Sequence, residues 1–152
     1  ASRGDNLNSI EPYLPPVRTA SEVQSTIQGQ WILNDLPKAQ ALAARSGKLV
    51  FIDFTGYTCT NCRWMESNIF NRADVGAELS RFVLARLYTD GEGKIYEDQQ
   101  AFQEKKFGTV ALPLYAIVTA DGRPLITQGG VVRDSEKFIG FLRAAYSPIA
   151  LR

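Results

Sequence analysis

Histidine is absent from this chain of 152 residues, and cysteine occurs only twice, as Cys59 and Cys62. A zinc site takes four protein ligands, or three and a water. With this inventory a stable zinc site would need carboxylates or a second molecule. No stretch of eighteen or more apolar residues is present, so no part of this chain reads as a membrane-spanning helix. A charge excess of one sign is missing too: the formal net charge is +1 and the basic residues are scattered. Nucleic acid and anionic lipid are therefore not expected as partners. There is no internal repeat, no low-complexity tract and no signal-peptide pattern. The chain begins at Ala1 without an initiator methionine, which fits a processed protein or a soluble piece of a larger one.

What is present is the composition of an ordinary globular domain, 45% hydrophobic and 22% charged. That length encloses a full core without a covalent staple. A disulfide between Cys59 and Cys62 would close a very short loop and constrain the unfolded chain little. The pair is thus a poor structural staple, and a metal clip or a reaction centre remain to be weighed. Arg-Gly-Asp at 3–5 is read as coincidence in a polar segment.

Residues 1–28, with "EPYLPP", read as an extended lead-in or linker, and 29–152 as the folded domain. A short strand is expected in "GQWILND", then a helix over "LPKAQALAARS" with the stripe Leu36, Ala39, Leu42 and Ala43, closed by Gly47. "KLVFIDF" is apolar without alternation, the pattern of a central strand covered on both faces. A helix starting at the cysteines runs through Met65, Ile69 and Phe70, and "NRAD" restarts it, with Asn71 as cap and Asp74 at the third helical position. "RFVLARLYTDG" is a strand and turn, and "YEDQQAFQEKKFG" a helix closed by Gly108. "LPLYAIVTADGRPLITQGG" is a hairpin around "DG". "RDSEKFIGFLRAAYS" is a last helix, capped by Asp134 or Ser135, with Phe138, Phe141, Leu142 and Ala145 on its apolar face and Pro148 beyond it. Helices between the early strands imply parallel pairs, and the late hairpin adds an antiparallel one.

Thr58 is a good helix N-cap, which predicts Cys59 in the first turn and Cys62 one turn deeper on the same face. Unpaired amides and the positive end of the helix dipole favour a thiolate there. Such a position brings a cysteine from about 8.5 down to about 7 or lower, and the thiolate is the species that attacks a disulfide. Cys59 is then the nucleophile and the more buried Cys62 the resolving thiol. Two inert buried cysteines are the bland alternative. A C-x-x-C beside strand–helix alternation reads as a thioredoxin-like redox motif.

The strand "VFIDF", the helix-opening "CTNC" and "ALPLYAIV" about fifty residues later resemble the thioredoxin fold. This is an α/β fold with a central mixed β-sheet flanked by helices and C-x-x-C at a helix N-terminus. Within it, "GKLVFIDFTGYTCTNCRWMESNIF" is similar to the C-terminal thioredoxin-like domain of DsbD-type transmembrane thiol:disulfide interchange proteins. The likeness runs over roughly residues 30 to 146 and is strongest at 47–70 and 108–118. It implies a disulfide reductase on the periplasmic side of the bacterial inner membrane, with a link to cytochrome c biogenesis. Electrons would come from an upstream membrane domain and pass to periplasmic thiol proteins. The proline-rich lead-in would be the tether. No cofactor is implied beyond the redox-active Cys59–Cys62 pair, and the expectation is a monomer.

Asp53 interrupts the apolar strand six residues before Cys59. Burial raises a carboxyl, and a raised carboxyl near a dithiol can take the proton of the resolving cysteine. A place at an exposed strand end is the alternative, and the resemblance favours the functional one. Glu66 lies four residues after Cys62 on the same helical face. The resemblance implies proton handling together with Asp53, and helix geometry alone fits a solvated charge equally well. Pro113 belongs at a strand start, where the resemblance implies a cis bond facing the cysteine helix. Leu112 would then pair its backbone with an incoming peptide, while Pro113 denies a metal a ligand position.

Thioredoxin proper has tryptophan before its first cysteine and Gly-Pro between the two, whereas this chain has Tyr57-Thr58 and Thr60-Asn61. Its potential is therefore not carried over. Tyr57 and Trp64 fit a docking surface or ordinary packing, and Gly129-Gly130 a close loop approach or a bulge. Besides the reductase, the sequence admits a cytosolic thioredoxin, a peptide-binding module without redox turnover, and a thiolate metal carrier.

Overall fold

The structure, a computed structural model, describes residues 30–146. The expected linker, the tether, the Arg-Gly-Asp triplet and Pro148 lie outside the described residues. The elements are β1 (Trp31–Leu33), α1 (Leu36–Ser46), β2 (Leu49–Thr55), α2 (Thr60–Asn68), α3 (Ala73–Leu79), β3 (Phe82–Tyr88), α4 (Lys94–Phe107), β4 (Leu114–Val118), β5 (Pro124–Gly129) and α5 (Ser135–Ala144). They form one mixed sheet in the order β1-β3-β2-β4-β5. The first three of these strands run parallel, and β4 and β5 each run antiparallel to the preceding neighbour.

The apolar run of β2 has the cause expected of it. β2 is the middle strand, and all seven of its residues are buried. Leu49 and Phe51 face Met65 of α2 and Ile69 just beyond its end, Val75 and Leu79 of α3, and Phe138, Phe141 and Leu142 of α5. Val50, Ile52 and Phe54 face Ala39 and Ala43 of α1 and, at the rim, Phe102 and Phe107 around α4. Phe51 touches the rings of Trp31, Phe70, Phe82, Tyr115, Phe138 and Phe141. Truncating so buried a phenylalanine to alanine typically costs about 3–5 kcal/mol.

Helix ends follow the local chemistry. Gly47 and Gly108 close α1 and α4 with φ of 71° and 78°, a left-handed conformation that glycine adopts without a Cβ penalty. Asp134 caps α5 by accepting the Glu136 amide. Two expected caps are displaced. Asn71 donates its side-chain amide to the Ser67 carbonyl at 2.9 Å, so Arg72 becomes the cap of α3 and Asp74 the second helical residue. Thr58 is not the cap of α2; Cys59 is. α2 also ends at Asn68, with the Ile69 and Phe70 amides both donating to the Met65 carbonyl.

The sheet topology gathers one end of the molecule. The C-terminal ends of parallel β2 and β3, the start of antiparallel β4 and the end of β5 lie together. Such a crevice beyond strand ends is the usual ligand-facing part of an open α/β sheet.

Candidate active site

β2 leads into a tight turn in which the Cys59 amide donates to the Gly56 carbonyl at 3.4 Å. Cys59 follows with extended backbone angles as the cap of α2, and Cys62 is the third residue of that helix. An N-cap side chain accepts one of the helix's unpaired amides. Here the acceptor is sulfur: the Cys62 amide donates to Cys59 Sγ at 3.1 Å. The two sulfurs are joined in a disulfide, Cys59 is partly exposed and Cys62 is 2% exposed. The shift of the cap from Thr58 to Cys59 has a clear cause. Asp90 accepts both the Thr58 amide and the Thr58 hydroxyl, which holds the Thr58 side chain on that carboxylate and leaves Cys59 Sγ as the acceptor at the helix start.

Asp53 is buried inside β2, with 1% of its surface exposed, on the face that carries α2. Burial pushes its carboxyl up to about 6, against the pull of Arg86 and with the Glu66 charge adding to the rise. The Arg86 Nε donates to Asp53 Oδ2 at 2.9 Å, and its guanidinium lies 4.0 Å from the centre of the Trp31 ring. Tyr115, opposite Asp53 on β4, has its phenol raised above its ordinary range by burial and by the Asp53 charge. A strand-end position for Asp53 is ruled out by this burial. Glu66 is held differently. Its Oε2 accepts from Arg63 Nη2 at 2.9 Å, and the same guanidinium nitrogen reaches Thr55 Oγ1 at 3.0 Å. Glu66 is thus an ion-paired charge whose field reaches Asp53.

The Leu112–Pro113 bond is cis and lies just before β4. The Gly130 amide donates to the Pro113 carbonyl at 2.9 Å, and Gly130 takes φ of 79° to do so. The close loop approach is therefore made by Gly130, while the irregular register of this hairpin sits at Ile117/Val118. Tyr57 is 49% exposed. Its ring stacks on Tyr88 at 4.0 Å and its hydroxyl meets the Tyr96 hydroxyl at 3.1 Å. Trp64 packs against the core with the Arg133 guanidinium 4.9 Å from its ring centre.

Sequence reasoning missed Arg86, Arg63, Asp90 and Gln103. Arg86 was the findable one: a lone charge inside the apolar "FVLARLY", as Asp53 is inside "VFIDF". Gln103 is fully buried on α4 and donates to the Ala111 carbonyl at 2.9 Å, just ahead of the cis bond. Among the described residues, no group of three or more His, Cys, Asp and Glu side chains is arranged to hold a metal ion. No helix among them is long and apolar enough to cross a membrane.

Solved structures of other proteins share this fold. The structure is similar to the reduced C-terminal domain of DsbD from Neisseria meningitidis, at 22% identity and a TM-score of 0.62, covering 74% of this chain and 97% of that one. The oxidised form of that domain gives 20% identity, a TM-score of 0.53 and coverage of 78% and 92%. A thioredoxin from Thermus thermophilus matches at 24% identity and a TM-score of 0.57, covering 75% and 84%. At these identities the likeness is one of fold. Comparison with the curated proteins gives no match. The thioredoxin-like family model matches residues 31–120, more than half of the sequence. With its mixed sheet, its cysteine pair at a helix start and that match, the chain belongs to the thioredoxin-like family, whose chemistry runs through the cysteine pair itself without a cofactor.

Proposed function

We propose that this protein is a protein-disulfide reductase that passes electrons by dithiol–disulfide exchange through Cys59 and Cys62. The observation that carries this reading is the asymmetry of the pair. One cysteine caps a helix and is partly exposed, while the other is enclosed one turn further in.

In the reduced protein the Cys59 thiolate attacks one sulfur of a partner disulfide. A Cys59–partner bond forms, the partner S–S bond breaks, and the departing partner sulfur leaves as a thiolate that takes a proton from water. Cys62 then gives up its proton and attacks Cys59 Sγ. The second partner sulfur departs as a thiolate and is protonated in turn. Two electrons have moved to the partner, and the Cys59–Cys62 disulfide of this structure is the product. A carboxyl titrating at about 6 is mostly ionised at neutral pH, so Asp53 suits the role of acceptor for the Cys62 proton. Leu112 and Pro113 offer the edge on which a partner peptide lies, with Tyr57 beside it. Glu66 acts on Asp53 through its charge.

The sequence likeness to DsbD-type proteins supports the finer reading. The electron donor is an upstream membrane dithiol, the acceptors are periplasmic thiol proteins, and the protein works as a monomer tethered through its N-terminal segment on the periplasmic side of the inner membrane. Equilibration with glutathione tests the direction of flow. A potential of roughly −200 to −270 mV is expected, and one near −120 mV, the oxidant end, overturns the reductase reading. A Cys62→Ala variant should trap partners as mixed disulfides at Cys59; adducts that persist in a Cys59→Ala control would count against the assignment.

A further inference from the structure

The amides of Tyr57 and Thr58, in the turn before Cys59, are held by one side chain from outside the turn. Asp90 follows β3, and its carboxylate accepts the Tyr57 amide at 2.7 Å, the Thr58 amide at 3.1 Å and the Thr58 hydroxyl at 2.9 Å. Burial works to raise this carboxyl, and the three donors overcome it and hold it below the usual carboxylate range. The fit is tight. A Cβ on Gly56 would stand 2.7 Å from Asp90 Oδ2 and 3.0 Å from Leu112 Cδ1. The next residue, Gly91, lies flat on Tyr96, where a Cβ would come within 2.7 Å of the ring. Tyr96 in turn meets the hydroxyl of Tyr57. The segment 56–58 is thus fixed at its backbone by Asp90 and at its one large side chain by Tyr88 and Tyr96.

We infer that Asp90 is a positioning residue that sets the reducing power of the Cys59–Cys62 pair by occupying the two amides immediately upstream of Cys59. The inference rests on the disulfide-exchange reading above. Amide donors near a sulfur stabilise its anion. With the Tyr57 and Thr58 amides committed to Asp90, the donor seen on Cys59 Sγ is the Cys62 amide alone. The fixed carboxylate also sets a negative charge against the loop that carries the thiolate. Both effects restrain thiolate stability. A less stable reduced form means a more strongly reducing pair, the reverse of oxidants whose reduced form is stabilised.

Three variants test this, each read by glutathione equilibration and by the ultraviolet titration of the Cys59 thiolate. Asp90→Asn keeps the shape and removes the charge. Asp90→Ala removes the acceptor. Gly56→Ala keeps the carboxylate and pushes it off the loop. The expected result is a threefold to tenfold shift of the glutathione equilibrium toward the dithiol in all three, about 15–30 mV less negative, with Cys59 titrating at lower pH. If the potential and the titration stay at wild-type values while only the unfolding midpoint falls, Asp90 is merely structural and the inference is wrong. If the Asp90 variants shift and Gly56→Ala does not, charge alone acts and the occupied-amide account is overturned. A wild type that does not exchange with glutathione at all would sink the disulfide-exchange reading itself, an outcome distinct from the other two.

Discussion

Asp53 and Arg86 face each other across the parallel strands β2 and β3, with Arg86 Nε 2.9 Å from Asp53 Oδ2. The pair is nearly dry: the Asp53 side chain is 2% exposed and that of Arg86 14%. Two opposing forces act on the Asp53 carboxyl. Desolvation raises it, Arg86 lowers it, and desolvation wins. Breaking even in a buried ion pair requires close geometry and further hydrogen bonds, and the outcome here leaves an acid that titrates inside the range of a working proton acceptor.

This acid gives stability a definite pH slope. An unfolded Asp titrates near 3.9, and Asp53 in the folded chain at about 6. Between those values the folded chain holds a proton that the unfolded chain has released. The protonated form therefore contributes its full stabilisation below about pH 4, loses it as pH rises, and has lost it above about 6, a change on the order of 3 kcal/mol. Asp74, Asp90 and Asp121 are held below their ordinary values and act with opposite sign at lower pH. Asp53→Asn removes the titration. Urea unfolding of the disulfide form across pH 4–7.5 should show the wild type losing stability relative to the variant as pH rises. Parallel curves would show that Asp53 does not titrate in this window.

Replacing Arg86 exposes the losing force. In Arg86→Met the side-chain volume is largely kept, while the counter-charge goes and with it the guanidinium over the Trp31 ring. Asp53 should then titrate above about 6, since the two largest influences lowering it are the charge and the hydrogen bond of Arg86. Carboxyl carbon shifts by NMR read this directly. The pH profile of partner reduction should move upward with it, because the acceptor for the Cys62 proton is then neutral over a wider range. A downward or absent shift would mean that another group compensates Asp53.

Much of this site was legible because its residues stand out locally. Asp53 is out of place inside an apolar strand, and the chain's two cysteines stand together at a helix start; Pro113 stood where a strand start allows it, and the resemblance marked it. The apolar run around Asp53 likewise announced a central strand, and β2 is buried along its whole length. Asp90 carried no such signal. "TDG" is an ordinary turn sequence, and only the parallel packing of β2 against β3 brings its carboxylate to the Tyr57 and Thr58 amides. The misplaced cap at Thr58 has the same origin, since a cap assigned from neighbours in sequence cannot register a carboxylate thirty-two residues away that holds the Thr58 side chain. Glu66 was ambiguous in sequence for a related reason. Helical spacing put it on the face of Cys62, and its tie to Arg63 depends on side-chain geometry.

Gln103 separates stability from binding. Its Nε2 donates to the Ala111 carbonyl, and its buried Oε1 finds no hydrogen-bond partner among the described residues. In Gln103→Met one neutral hydrogen bond is lost, about 0.5–1.5 kcal/mol, and one desolvated acceptor is removed, a gain of about 1–3 kcal/mol. Ala111 is exposed, so its carbonyl can turn to water. Stability should therefore stay within about 1 kcal/mol of wild type or rise slightly. The segment ahead of Leu112 and Pro113 loses its tie to α4, so KM for a disulfide-bonded peptide should rise severalfold while kcat holds. Steady-state kinetics beside urea unfolding distinguish the cases. A loss of stability with unchanged KM would make Gln103 a core residue with no part in presenting the Leu112 edge.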